Sequence, residues 1–215
     1  MNKVIEKRRG KFERFGRLRK STACISCSEC GQEFTKKQIK EALYVCPGCG
    51  HYYAMPPEKR IMSLMDENSF KVFNFEFPEI DPLDFEGYVE KKEELRERLH
   101  TREAVLGGVG TIDGRKAVVV VMNSKFMMGS MGVEVGETVT RSIEHAYRFK
   151  LPLIIFCASG GARMQEGIVS LMQMAKTSAA LERYKKKGGL YIVYFTHPTT
   201  CLLYTSPSPR DSTSS

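Results

Sequence analysis

The sequence SGGARMQEG at residues 159–167 decides how the second half of the chain is interpreted. It follows the continuous apolar run LPLIIFC at residues 151–157, which predicts a strand covered on both faces of its sheet. It leads into residues 167–187, where apolar side chains recur at helical spacing. A glycine pair between a strand and a helix lets the backbone approach a ligand and turns N–H groups outward, where they stabilise negative charge. Gly160 and Gly161 are therefore candidate oxyanion donors, the alternative being a plain tight turn.

Strands and helices alternate on both sides of this turn. Residues 104–112 and 115–122 predict two strands joined by an Asp-Gly dipeptide, which is typical of tight turns. Residues 133–149 predict a helix, and residues 190–195 predict another buried strand. This order indicates an α/β body with short crossovers. The predicted core-facing positions are Val135, Val139, Ile143, Ala146 and Phe149 in the first helix, and Leu171, Met174, Ala175, Ser178 and Leu181 in the second.

A second glycine-rich stretch, MMGSMGVEVG, lies at residues 127–136. Neither stretch contains the Gly-Lys-Ser/Thr of a P-loop or a correctly placed G-x-G-x-x-G, so the motifs disfavour an ATP or dinucleotide site. The carboxylates of Glu134, Glu137 and Glu166 are candidate acids or bases, but no nucleophile and base are evidently paired. An enzyme that relied on backbone donors alone would need a substrate that supplies its own base.

Two C-x-x-C pairs separated by fifteen residues predict a four-cysteine zinc ribbon in the N-terminal part of the chain. The predicted ligands are Cys27, Cys30, Cys46 and Cys49. Cys24 forms a further C-x-x-C with Cys27, and His51 follows the second pair, so both stay open as alternative ligands. Four thiolates fill a tetrahedral shell, which predicts one structural zinc per chain that stabilises a module too small to fold on its own core.

Composition describes an ordinary globular chain with a basic N-terminal arm. The 215 residues are 42% hydrophobic and 27% charged, which excludes wholesale disorder and a low-complexity fibre. With neither a long apolar run nor a signal peptide, we expect a cytoplasmic protein without a membrane span. Residues 1–20 hold nine of the 33 basic residues and two of the 25 acidic ones. Such an arm is either a solvated tail or a contact for nucleic acid.

In their order and spacing these motifs resemble the beta-subunit family of bacterial acetyl-coenzyme A carboxylase carboxyltransferases. The resemblance rests on the four cysteines, CGHYYAM at 49–55, RIMSLMDENSF at 60–70, SGGARMQEG at 159–167 and THPTT at 196–200. It implies a crotonase-like fold of β-β-α repeats with an N-terminal zinc ribbon. It also implies transfer of a carboxyl group from carboxybiotin to acetyl-CoA, giving malonyl-CoA in the first committed step of fatty acid biosynthesis. Gly160 and Gly161 would then be catalytic through their backbone N–H groups, and the biotin urea would take the substrate proton.

The resemblance further implies partners. These are a carboxyltransferase alpha subunit in a heterotetramer, a biotin carboxyl carrier protein, and an ATP-using biotin carboxylase. Nucleic-acid binding through the ribbon and the basic arm is a secondary expectation. Taken as the main role, a nucleic-acid-binding ribbon on an α/β scaffold is the alternative function. Another crotonase-type acyl-CoA enzyme, such as a hydratase, is a further alternative, but no acid pair for water addition is evident.

The sequence after the last motif, CLLYTSPSPRDSTSS at residues 201–215, departs from the family pattern and resembles translated sequencing-adapter read-through. We therefore expect the true chain to be longer and the 215-residue product to expose apolar surface. The predicted organisation is a basic flexible arm (1–22), a zinc ribbon (23–55), connecting helices (56–103), an incomplete crotonase-like carboxyltransferase domain (104–200) and an artefactual tail (201–215).

Overall fold

The computed structural model describes residues 24–196 and residue 199. The predictions for the basic arm and for residues 201–215 lie outside the described residues. The chain divides into two compact units, Met1–Met55 and Pro56–Ser215.

The first unit is a small cysteine-bearing module. Strands β1 (Cys24–Ser26) and β2 (Glu33–Thr35) pair antiparallel, and the short helix α1 (Lys36–Glu41) follows directly. Thr35 begins this helix with a capping box, because its hydroxyl accepts the Gln38 N–H while the Gln38 side chain accepts the Thr35 N–H. The buried hydrophobic side chains of this first unit are Ile39, Cys27 and Cys46. So small a core favours an additional stabilising element such as a metal.

The second unit has four further helices, five strands and two 3₁₀ turns among its described residues. The helices are α2 (Pro57–Leu64), α3 (Tyr88–Leu99), α4 (Val133–Phe149) and α5 (Ile168–Lys186). The strands are β3 (Lys71–Val72), β4 (Val105–Ile112), β5 (Arg115–Met122), β6 (Leu153–Cys157) and β7 (Tyr191–Phe195). The 3₁₀ turns are Met127–Gly129 and Met164–Glu166.

The five strands form one sheet in the order β3-β4-β5-β6-β7. The pairs from β3 to β5 are antiparallel, and those from β5 to β7 are parallel. The sheet therefore contains one complete β-β-α unit, formed by β4, β5 and α4, followed by β6, α5 and β7. The predicted α/β class and the predicted strand-strand-helix order are confirmed.

Alternation along β5 supplies two hydrophobic clusters, one on each face of the sheet. Val118 and Val120 contribute to a cluster that includes Ile143 of α4 and Leu181 of α5. Their neighbours Val119 and Val121 contribute to a second cluster, which α2 covers with Ile61. Successive side chains of a strand point to opposite faces, so a run of valines fills both layers.

Three core predictions from the sequence are wrong. Strand β7 is half-buried or exposed rather than buried, because it pairs only with β6 and forms an edge of the described sheet. Phe149 is exposed at the end of α4. Of the predicted core face of α5, Leu171 and Ala175 are exposed, and only Leu181 is fully buried.

Helix α5 instead buries a partly polar face. The buried side chains are Ser170, Gln173, Thr177, Ala180, Leu181 and Tyr184. The Ser170 and Thr177 hydroxyls donate to carbonyl oxygens at Gly167 and Gln173, so their burial leaves no donor without a partner. Hydrophobicity alone therefore selects the wrong side of this helix.

Candidate functional site

The two glycine-rich stretches lie against each other after strands β5 and β6. Gly160 N–H donates to the Met128 carbonyl at 2.8 Å, and Met131 N–H donates to the Gly161 carbonyl at 2.8 Å. A third bond runs from Arg163 N–H to the Met131 carbonyl at 2.9 Å. The sequence identified each glycine-rich stretch separately, and the fold brings the two together in one candidate site.

The two predicted donors differ in what their N–H groups contact. Gly160 N–H is committed to a backbone carbonyl, that of Met128. Gly161 N–H donates to the Ser159 hydroxyl at 3.2 Å, a side-chain partner. Gly161 has a φ of +116°, which side-chain-bearing residues rarely adopt, and no heavy atom lies within 4 Å of where a Cβ would be. Gly160 is exposed, whereas Gly161 is buried and its N–H has a side-chain hydroxyl as partner.

Arg163 lies within the glycine-rich motif, yet it is fully buried. Its guanidinium donates to both carboxylate oxygens of Glu103, at 2.7 and 2.8 Å, and to the Ser130 carbonyl at 2.9 Å. Burial opposes the charge on Arg163, but the hydrogen bonds and charge of Glu103 outweigh it and raise the pKa of the guanidinium. This arginine is a structural link between elements, not a free cation.

Glu166, a candidate acid or base in the sequence, is also buried and fully engaged. Its Oε1 accepts the Tyr88 hydroxyl at 2.5 Å, and its Oε2 accepts Val133 N–H, in the first turn of α4, at 2.6 Å. Burial raises the pKa of the Tyr88 phenol, so this hydroxyl stays a donor. The sequence contained no signal that would join Tyr88 or Glu103 to this motif, because both are more than fifty residues away along the chain.

The other two candidate carboxylates are paired as well. Glu134 is buried against Lys92 at 2.9 Å and Arg96 at 3.1 Å. Glu137 pairs with Arg141 at 2.7 Å and with Lys176. None of the three candidate carboxylates is free to act as a general base in this conformation.

The four predicted zinc ligands lie together in the first unit. The Sγ atoms of Cys27, Cys30, Cys46 and Cys49 are all within 4.8 Å of one another. The Cys27 and Cys49 sulfurs are 3.7 Å apart, and the Cys30 and Cys46 sulfurs are 3.8 Å apart. Tetrahedral zinc with bonds of about 2.3 Å places its sulfur ligands about 3.8 Å apart, so the cluster fits such an ion.

The surroundings of the cluster also select these four cysteines. Cys24 is exposed in β1 and is not part of the group, and the His51 ring faces Glu29 and Tyr53. The structure therefore places a four-cysteine, metal-compatible cluster where the sequence predicted it.

Among the described residues, no helix is both long and apolar enough to cross a membrane.

Comparison with protein families completes the description of the site. Residues 58–206 match the carboxyl transferase domain, and this range contains both glycine-rich stretches and the whole of the five-stranded sheet. The chain belongs to the carboxyl transferase family. The match runs six residues into the C-terminal segment expected to be artefactual, and that expectation stays a prediction.

Relatives of the chain include two curated proteins named acetyl-coenzyme A carboxylase carboxyl transferase subunit beta. They come from the Okra (type B1) and Langeland (type F) strains of Clostridium botulinum. Each is 48% identical over 176 residues, covering 82% of this chain and 61% of the relative. The chain therefore spans about three fifths of the length of these relatives.

Solved structures that match part of the chain include transcarboxylase 12S, with a TM-score of 0.48 and 26% identity over 60% of this chain and 23% of that one. A malonate decarboxylase hetero-dimer from Pseudomonas gives a TM-score of 0.45 and 23% identity over 61% of this chain and 48% of that one.

Proposed function

We propose that this carboxyl transferase is the beta subunit of an acetyl-coenzyme A carboxylase. It would transfer a carboxyl group from carboxybiotin, carried on a separate carrier protein, to acetyl-CoA and so form malonyl-CoA. The observation that carries the proposal is the Gly161 N–H, which donates to the Ser159 hydroxyl rather than to a backbone carbonyl, in a turn inside the family's domain. The names of the two curated relatives support the choice of acetyl-CoA.

The paired carboxylates fit this reaction better than one that needs a protein base. Transfer breaks the carbon–nitrogen bond of carboxybiotin and forms a carbon–carbon bond at the methyl carbon of acetyl-CoA. The biotin urea nitrogen released in that exchange accepts the proton lost from the methyl group. Protons and bonds balance without a side-chain base, and the remaining task is to stabilise an oxyanion.

Gly161 is the better candidate for that task. Although Gly161 is buried, an oxyanion would displace only the Ser159 side-chain hydroxyl from its N–H, whereas at the exposed Gly160 it would have to displace the backbone carbonyl of Met128. We therefore propose Gly161 as the primary donor and Gly160 as a donor only if that backbone bond opens. One oxyanion-hole donor is worth about 3 kcal/mol of transition-state stabilisation in other enzymes.

The exposed face of α5 supports a partner subunit on this side of the molecule. The apolar side chains Ile168, Leu171 and Met172 are all exposed, and Met164, just before the helix, is 82% exposed. Exposed side chains at helical spacing form a stripe, and such a stripe beside a functional turn is typical of an interface. We propose that the alpha subunit covers it, completing the site in a heterotetramer.

For the four-cysteine cluster we propose a structural zinc. Cys27, Cys30, Cys46 and Cys49 would hold it, and bound zinc would stabilise the first unit without taking part in carboxyl transfer, since four thiolates leave no open position for a substrate. Biotin carboxylase and the carrier protein enter the proposal as suppliers of carboxybiotin.

The described residues of the ribbon do not support the nucleic-acid alternative. Between residues 24 and 55 the basic side chains are Lys36, Lys37 and Lys40, and the acidic ones are Glu29, Glu33 and Glu41. This balance gives no electrostatic attraction to phosphates. The basic arm that motivated the alternative lies outside the described residues.

Carboxyl transfer in the chain mixed with an alpha subunit tests the proposal, with Gly161→Ala as the informative variant. Gly188→Ala is the matched control, because Gly188 also has a positive φ of +75° and open space at its Cβ position, but lies in the turn before β7. We expect Gly161→Ala to lower kcat by about a hundredfold or more and Gly188→Ala to leave it near the wild-type value. Alanine keeps its N–H, so Gly161→Ala tests the positive-φ conformation that aims this group. Equal activity of the two variants would show that a donor aimed by this conformation is not needed for transfer.

A further inference from the structure

We propose that Tyr88, Glu166 and Arg163 act as positioning residues for the glycine turn that carries Gly161. The inference rests on the proposed carboxyl transfer, because positioning has a catalytic meaning only if the turn binds a reacting oxyanion. None of the three side chains would touch substrate. Their role would be to fix the distance between the two glycine-rich stretches.

Arg163 contacts the glycine-rich stretch at residues 127–136 through two of its nitrogen atoms. Its Nη2 donates to the Ser130 carbonyl at 2.9 Å, and its Nε donates to the Ser130 hydroxyl at 3.2 Å. Ser130 lies two residues after Met128, whose carbonyl receives Gly160 N–H. A guanidinium fixed by Glu103 therefore holds the same loop that the glycine turn uses as its backbone partner.

Glu166 makes a second connection between the glycine turn and the surrounding segments. Its carboxylate occupies the space above Gly132, where a Cβ would come within 2.2 Å of Oε1. It joins the Tyr88 hydroxyl, from α3, to Val133 N–H, at the start of α4. Because Glu166 and Arg163 are three residues apart and both follow the glycine turn, any shift of the turn must break contacts to three other segments.

The network has no evident role beyond this region. A buried ion pair such as that between Arg163 and Glu103 gives little net stability over an apolar replacement, because both charges are removed from water. What such a pair can provide is a fixed geometry for the groups around it. The backbone hydrogen bonds between the two glycine-rich stretches involve Gly160, Gly161 and Met131. The network therefore fixes the positions of the predicted donors.

Tyr88→Phe is the sharpest test, since it removes one hydroxyl and keeps the ring. Tyr184→Phe is the matched control, because Tyr184 is equally buried but its hydroxyl donates to the carbonyls of Leu151 and Leu190, away from the turn. Amide hydrogen exchange is measured on the isolated chain at low concentration. Carboxyl transfer is measured after addition of the alpha subunit.

We expect Tyr88→Phe to speed exchange at the Met131, Gly160 and Arg163 amides by roughly tenfold, the effect of losing one buried hydrogen bond. We expect kcat to fall by roughly ten- to a hundredfold while the KM for acetyl-CoA changes less than about twofold. Tyr184→Phe should show neither effect. Glu166→Gln, which leaves a single acceptor for two donors, should reproduce the changes if Tyr88→Phe folds poorly.

The proposal is overturned if Tyr88→Phe and Tyr184→Phe exchange alike at these amides, or if KM rises while kcat is unchanged. If exchange responds as expected but the wild-type chain transfers no carboxyl group with its alpha subunit, the positioning network stands and the proposed function is wrong. The two failures are thus distinguishable.

Discussion

Glu103 and Arg163 form a two-point ion pair in which both side chains are buried, with nitrogen–oxygen distances of 2.7 and 2.8 Å. Glu103 lies just before β4, and Arg163 lies in the turn after β6. The strand register places the start of β4 and the end of β6 at the same edge of the sheet, so the pair links these two segments there through buried charges.

Removing one partner of this pair should destabilise the chain strongly. We expect Glu103→Gln to lower the free energy of unfolding by about 3–5 kcal/mol, because the Arg163 charge would stay buried with reduced compensation. The control is Glu137→Gln, whose partners Arg141 and Lys176 are partly exposed and for which a loss of about 1 kcal/mol or less is expected. Urea unfolding measures both. Similar losses for the two variants would show that the buried pair is not special.

Asp66 should make the β4–β5 turn sensitive to acid. Its carboxylate accepts hydrogen bonds from the Thr111 hydroxyl and from the N–H groups of Gly114 and Asp113, and these bonds lower its pKa, that of Thr111 contributing most. A pKa that is lower in the folded chain than in the unfolded chain stabilises the fold at pH values above the unfolded-state pKa of about 3.9. This stabilisation is lost as the pH falls through the folded-state pKa.

Asp66→Asn should therefore lower Tm near pH 7, and its difference from the wild type should shrink below about pH 4. Thermal melts across this range measure the effect, with the exposed neighbour Glu67→Gln as control. A Tm difference for Asp66→Asn that does not depend on pH would contradict the role of its charge.

Zinc should be confined in its effect to the first unit. Cys46→Ser, or treatment with a chelator, should reduce the metal content well below one ion per chain and abolish amide protection between residues 27 and 53. Strands β4 to β6 should keep their protection, because their core contains no cysteine of the cluster. Cys24→Ser is the control and should leave zinc content unchanged. Retention of one zinc by Cys46→Ser would show that the ligand set is wrong.

The exposed face of α5 should bind the alpha subunit without supporting the fold. Met172→Ser should change the free energy of unfolding by no more than about 0.5 kcal/mol, since the side chain is exposed, but should weaken alpha-subunit binding. Leu181→Ser, on the buried side of the same helix, should cost about 2–5 kcal/mol. Sedimentation and calorimetry separate the two effects, and unchanged binding by Met172→Ser would place the interface elsewhere.

Much of this molecule was predictable because its signals are local. The Asp113-Gly114 turn joins β4 to β5, the apolar run after residue 150 forms β6, and the four cysteines meet as their spacing predicted. Turn chemistry, strand periodicity and ligand spacing each act over a few residues, so neighbouring letters of the sequence are sufficient to define them.

Tertiary structure alone decided which face of α5 is buried and which charges are free. Sequence periodicity favoured Leu171 for the core, but the fold buries Ser170 and Thr177, whose hydroxyls donate to the carbonyls of Gly167, just before the helix, and Gln173. Glu166 was a candidate base until Tyr88, 78 residues earlier, was found to occupy its carboxylate. Such partners are set by how the strands and helices pack, and contacts between distant segments leave no periodic trace in the sequence.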